Sequence, residues 1–357
     1  MSDFSSLKTT ERLPDDKPAV LGMTLEVLRE VCASVGAKPF AARQMARWLY
    51  VAKVTDFDAM TDLSKPVRQR LAEQYTVGRE APLQDVHSAD GTVKYLFRGT
   101  PGRDVEAVYI PDRDRATLCV SSQAGCRMGC TFCMTGRQGF HGNLTPAQIM
   151  NQILSIDDSD ALTNLVFMGM GEPTDNTDAV LNVIDILTAP WGMAWSPKRI
   201  TVSSIGRLPE LERFLNETKV HIAISVHSPF SAQRSGIMPS ERAWPIEKVF
   251  QTLSHYDWSK QRRLSVEYVM WKGFNDDMRH ADALAKLVRP VGARVNLIRF
   301  HDIGDTSLLP SSRETMERFR DRLNELGVTA TIRASRGEDI MAACGMLAGK
   351  DKMHNND

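Results

Sequence analysis

The sequence predicts an α/β fold: a partial barrel of six β/α units, similar to a TIM barrel, preceded by a small helical domain. Three observations predict it. Apolar residues recur with a helical period between residues 24 and 75. Beyond residue 112, short β-branched runs alternate with amphipathic helical runs, the mark of repeated βα units and a parallel sheet. Glycine and polar residues gather just after those strand runs, where barrels build ligand sites. We therefore divide the chain into a helical domain at 1–85, a connecting β-hairpin region at 86–111, and a barrel core with a C-terminal extension at 112–357.

The elements follow in order. Residues 1–18 are polar and are left without structure. The run LEVLREV places apolar residues at 25, 27, 28 and 31, and Phe40, Met45, Trp48 and Leu49 continue the period. Trp48 is read as core. Asp62 and Ser64 are candidate caps for a helix carrying Val67 and Leu71. A hairpin follows, with a turn at Asp90-Gly91 between strands at 85–89 and 92–97. Strands are expected at 105–110, 116–121, 164–168, 200–203, 220–225, 264–269, 294–298 and 328–332. Helices are expected at 145–156, 178–187, 208–215, 245–255, 276–287 and 312–326.

Composition narrows the function. Hydrophobic residues make up 42% and charged residues 25% of the 357, ordinary for a soluble globular protein. No apolar run is long enough to span a bilayer, and MSDFSSLKTTERLPDDKP has no signal-peptide core, so a cytoplasmic protein with no membrane partner is expected. Lys plus Arg equals Asp plus Glu at 44 each, which argues against a general polyanion coat. Local basic groups (Lys260, Arg262 and Arg263; Arg289, Arg294 and Arg299; Arg318, Arg320 and Arg322; Arg333 and Arg336) bias the C-terminal half toward a polyanion. Each taken alone is a solvated face.

The strongest motif is C-R-M-G-C-T-F-C, with Cys126, Cys130 and Cys133 spaced C-x3-C-x2-C directly after a strand. Zinc usually takes four ligands in separated pairs, and Cys119 would have to serve as the fourth. An iron–sulfur cubane held by three thiolates keeps one iron open to a ligand, and this spacing is the signature of radical S-adenosylmethionine enzymes. Both frameworks stay open on spacing alone. One βα unit later, Gly169-Met170-Gly171-Glu172-Pro173 lets backbone approach a ligand and offers Glu172 to an ammonium group; a plain turn explains it as well. Ser203, Ser225, Val226, His227 and His301 sit at further strand ends. Cys119, Cys344 and Cys32 read as small buried hydrophobes, and Glu106 as an ordinary strand residue.

Together VEAVYIPDRDRATLCVSSQAGCRMGCTFCMTG, GFHGNLTPAQIMNQI, FMGMGEP, AISVHSP, VEYVM, VNLIRFH and RGEDIMAACG resemble the RlmN/Cfr family of radical S-adenosylmethionine RNA methyltransferases across residues 21–349. The resemblance implies a 4Fe-4S cluster on Cys126, Cys130 and Cys133, and two molecules of S-adenosyl-L-methionine per turnover. It implies that Cys344 carries a methyl group, that Cys119 resolves the product by forming a disulfide with Cys344, and that Glu106 accepts a proton. Gly171, Glu172, Ser203, Ser225, Val226, His227 and His301 correspond to cofactor-binding positions, although the family usually has Asn where His301 stands. The implied partners are 23S rRNA, tRNA and a low-potential electron donor such as flavodoxin. The implied product is 2-methyladenosine in 23S rRNA and next to the tRNA anticodon, KPFAARQMARWLY and GMGEP resembling the RlmN branch. The alternatives are a Cfr-type C8 methyltransferase, a radical enzyme acting on a small metabolite, and a zinc-stabilised RNA-binding protein.

Overall fold

The computed structural model describes residues 17–259, 262–303 and 307–348, so Lys260 of the basic groups lies outside the described residues. The N-terminal helices are α1 (Leu25–Ser34), α2 (Ala41–Tyr50) and α3 (Lys65–Gln74). Thr24 caps α1 by accepting the Val27 N–H, and Leu25, Leu28, Val31 and Cys32 are buried in the same core as Met45 and Leu49 of α2. Cys32 is core, its sulfur 3.3 Å from that of Met45. Ser64 stands at the N-cap of α3 without a side-chain bond, whereas Asp62 is no cap: it accepts from the Trp48 indole N–H at 2.5 Å.

A continuous ten-stranded sheet follows. Its first strands, β1 (Gln84–His87), β2 (Val93–Arg98), β3 (Asp104–Asp112) and β4 (Arg115–Cys119), pair antiparallel. The β1–β2 connection spans 88–92, longer than the tight two-residue turn expected, because Ser88 and Asp90 fold their side chains back onto its backbone. Next come β5 (Gln123–Gly125), α4 (Met134–Arg137), β6 (Phe140–Asn143), α5 (Pro146–Leu154) and β7 (Asn164–Phe167). The chain continues through α6 (Thr177–Thr188), β8 (Ile200–Ser204), α7 (Glu210–Glu217), β9 (His221–Ser225), α8 (Ser231–Ile237) and α9 (Ile246–Leu253). It ends with β10 (Leu264–Met270), α10 (Met278–Val288), β11 (Arg294–Arg299), α11 (Arg313–Glu325) and β12 (Ala330–Ile332).

From β4 onward the pairing β4-β7-β8-β9-β10-β11-β12 is parallel, each step crossing through helix. Six β/α units thus lead to a seventh parallel strand, and β1–β3 extend the same sheet at its other end. Fully buried Leu165, Val202, Ile222, Val266 and Val295 put apolar side chains on the parallel strands because helices cover them. The separate ribbon β5–β6 was not expected; its short, glycine-bearing strands carry too little periodicity to register. Beyond β12, residues 333–348 run back over β1–β3 as a strap. Asp339 accepts from Ser88 Oγ, Asp90 accepts from the Gly337 N–H, and Lys94 donates to the Met341 carbonyl.

Candidate active site

The β5–β6 ribbon clasps the cysteine loop at its base, where the Cys126 N–H donates to the Gly139 carbonyl at 2.7 Å. The loop then turns so tightly that a Cβ on Gly136 would stand 3.0 Å from both the nitrogen and the oxygen of Cys130. Cys126 and Cys130 are buried and Cys133 is half-buried. Met128, Ile205, Met238, Trp271 and Phe300 join them in an apolar cluster distinct from the main core, with Phe132 packed against it. Burial pushes all three thiols up, Cys126 to about 12, so as thiolates they call for a cationic centre among them.

The cysteines form one wall of a cavity at the C-terminal ends of the parallel strands, and Gly171, Glu172, Ser203, Ser225, His227 and His301 line it too. Gly171 has φ +98°, and a Cβ there would meet the Gln123 side chain at 2.5 Å. Glu172 is 5% exposed. Its Oε1 accepts from Thr174 N–H (3.2 Å) and Oγ1 (2.5 Å), and its Oε2 from the Ile205 N–H (3.1 Å), while burial pushes its carboxyl up. Protein donors therefore already tie Glu172 to the end of β8. His227 adopts φ 57° and packs edge-on against Phe132 at 4.8 Å between ring centroids. Its Nδ1 accepts the Val269 N–H at 3.0 Å, which makes Nε2 the protonated nitrogen of the neutral ring. Val226 differs from its neighbours: its side chain is wholly buried in the main core, its N–H donates to Glu267 and its carbonyl accepts from Arg234.

Cys119 ends β4 and is buried; burial, with the Cys344 thiol adding to it, pushes its thiol to about 12, Arg333 pulling the other way. Cys344, 225 residues along on the strap (344 − 119), lines the main cavity and a second chamber behind it, and Arg333 lines both. The strap is fixed next to the cysteine loop: Met134 N–H donates to the Gly345 carbonyl at 2.9 Å and Thr135 Oγ1 to that of Leu347 at 2.7 Å. Glu106 accepts the Ala348 N–H at 2.9 Å and lies 3.1 Å from Lys94 Nζ, so it also anchors the strap. His301 bonds to the strap through Ser335 (3.2 Å) and stands 3.3 Å from Glu338. Glu267 and Arg333 also line the cavity; the sequence had placed Glu267 within VEYVM and Arg333 in a basic group without giving either a role at the site.

The donor set fits one of the metal frameworks better than the other. Among the described residues, no group of three or more His, Cys, Asp or Glu side chains converges closely enough for one metal ion. Zinc needs its ligands about 2.3 Å from a single centre. A cluster spreads three thiolates over separate irons, and an all-thiol set on the wall of an apolar chamber fits it. A partial barrel with such a loop above its strands defines a radical S-adenosylmethionine enzyme. Residues 120–285 match the Radical SAM superfamily, and residues 19–77 match the ribosomal RNA large subunit methyltransferase N-terminal domain.

A radical SAM methyltransferase from Sphaerobacter thermophilus superposes with a TM-score of 0.87 at 38% identity, covering 92% of this chain and 99% of that one. The probable dual-specificity RNA methyltransferase RlmN of Phocaeicola vulgatus is 56% identical over 93% of this chain and 95% of its own length. The dual-specificity RNA methyltransferase RlmN of Anaeromyxobacter dehalogenans is 39% identical over 95% of this chain and 94% of its own length. The chain belongs to the RlmN family of radical S-adenosylmethionine RNA methyltransferases. Among the described residues, no helix is long and apolar enough to cross a membrane.

Proposed function

We propose that this enzyme methylates C2 of an adenosine in 23S rRNA and of the adenosine next to the tRNA anticodon, in the cytoplasm, by way of a methyl group carried on Cys344. The observation that carries this reading is that Cys344, exposed on the strap, lines the same cavity as Cys126, Cys130 and Cys133. The RlmN names of the relatives support C2 over C8. Cys126, Cys130 and Cys133 would hold the cluster, with Gly171, Glu172, Ser203, Ser225 and His227 around S-adenosylmethionine. When bound, cluster and cofactor supply the carbon radical that an adenine ring carbon requires, fed by a low-potential donor such as flavodoxin.

The chain's own residues do the rest. Cys344 would carry the methyl group and present it in the cavity beside the cysteine loop. Apolar cover from Phe132, Met238 and Trp271 keeps water from the reactive carbon. Once the carbon is joined to the base, Glu106 accepts a ring proton. The unpaired electron left by the addition returns to the electron-donor chain. Cys119 then attacks the Cys344 sulfur; an S–S bond forms and the S–C bond breaks with its electron pair going to carbon. That carbon takes up the Cys119 proton to complete the methyl group, and the methylated base leaves. The test is nucleoside mass spectrometry on RNA from cells carrying each variant. Cys344→Ala is expected to abolish 2-methyladenosine, and Cys119→Ala to leave protein covalently attached to RNA. An 8-methyladenosine signal from the wild type, or only free RNA from Cys119→Ala, would overturn the reading.

A further inference from the structure

Two charged side chains in the cavity have no part in the cysteine loop, and one of them, Arg333, also faces the Cys119–Cys344 pair. Glu267, on β10, is 4% exposed. Its Oε1 accepts from Asn296 Nδ2 (2.8 Å) and Ser265 Oγ (3.3 Å). Its Oε2 is buried, has no hydrogen-bond partner among the described residues, and belongs to a side chain lining the cavity. Arg333, just beyond β12, brings Nη1 only to 3.9 Å of that oxygen and to 3.7 Å of the Met168 sulfur. A strong acceptor and a five-donor fork thus stand side by side, neither satisfying the other, next to Cys344.

A buried carboxylate oxygen without a donor is costly, so this pair is built for a ligand. The ligand must present a donor beside an acceptor. A phosphate offers acceptors alone and would be repelled by Glu267. An adenine edge offers an amine hydrogen at N6 next to a lone pair at N1 or N7, the pattern that a bidentate side chain reads in duplexes. Burial pushes the Glu267 carboxyl up while Arg333 and Asn296 draw it down, so a donor from the ligand adds to what already favours the charged form. Arg333 also borders the second chamber, so the arginine end of the pair stands where both spaces reach Cys344.

We propose that Glu267 and Arg333 form a base-reading pair: Glu267 accepts from the exocyclic amine of the substrate adenine, and Arg333 donates to the adjacent ring nitrogen. This rests on the RNA-methylation reading above. Each partner then fixes one end of the base edge and presents its neighbouring carbon to Cys344. The pair selects against a base with a keto oxygen at that place, which would set two acceptors against each other.

The experiment uses the cluster-loaded enzyme and two RNA stem-loops, one with adenosine at the target position and one with purine riboside, which lacks the amine. Binding is measured by fluorescence anisotropy and product by mass spectrometry. Wild type is expected to bind the purine loop about tenfold more weakly than the adenosine loop. Glu267→Met is expected to bind the two loops alike, and Glu267→Gln, whose amide oxygen still accepts, to keep most of the preference. S-adenosylmethionine affinity and melting temperature, both unchanged, show that the variants fold. A preference that persists in Glu267→Met overturns the proposal, as does a loss of S-adenosylmethionine affinity in that variant with base preference intact, which assigns the pair to the cofactor. Failure of the wild type to methylate either loop instead removes the RNA reading on which the proposal stands.

Discussion

His227 is held as a neutral ring. Burial lowers its pKa to about 3 and the nearby Arg234 cation adds to this, while an unfolded histidine titrates near 6.5. Between those values the unfolded chain takes up a proton that the native ring refuses. Stability therefore falls as pH drops from about 6.5 toward 3, by up to about 1.4 kcal/mol per pH unit from this residue. Urea unfolding of the wild type and His227→Gln at pH 7, 6 and 5 checks this: the variant should show a shallower decline, and equal slopes would exclude the assignment. At this scale sequence legibility was uneven. The three cysteines announced themselves by spacing, whereas Cys119 and Cys344 read as plain core until the family motifs gave them roles. Glu267 and Arg333 were visible only as part of VEYVM and as one of a basic group, because a single charge beside apolar residues does not tell which cavity it faces.

Loops following β8 and β9 are joined through one buried cation. Arg234 is 0% exposed; its guanidinium donates to the carbonyls of Val226 (3.0 Å), Ile205 (3.0 Å) and Ser225 (2.9 Å), and it pairs with Glu241. Desolvation works against the cation, and Glu241 with the carbonyls offsets it. Replacement by Met removes the cation beside buried Glu241 and leaves it, among the described residues, only the Ile246 N–H, which costs about 3–5 kcal/mol. Chemical denaturation of Arg234→Met measures it; a change below about 1 kcal/mol would mean that Glu241 finds other donors. The helix holding this residue was invisible in the sequence, since SAQRSGI has no apolar period. Long periodic elements such as α6, α10 and β10 were legible because packing on a parallel sheet demands that pattern.

The helical domain is seated on the barrel by contacts of unequal worth. Lys53 reaches Asp160 at 2.5 Å, yet the Asp160 side chain is 95% exposed, so solvent screens the pair and Lys53→Met should cost under about 1 kcal/mol. Tyr50 meets Trp191 edge-on at 6.1 Å, and Trp191→Ala, which removes a large half-buried ring, should cost about 2–3 kcal/mol. Differential scanning fluorimetry of both variants should rank them in that order; the reverse order would show that charge, not ring packing, holds the domain. A last consequence follows from the strap. Thr135, beside the cysteine loop, and Leu347, beside Cys344, are 212 residues apart in the chain and share one direct hydrogen bond. Located through the sheet, the two would accumulate the positional error of every intervening strand. Referenced to each other by this bond and its neighbour from Met134 to Gly345, they keep the working gap between them insensitive to breathing of the barrel, as a gauge block fixes two faces whatever the bench beneath does.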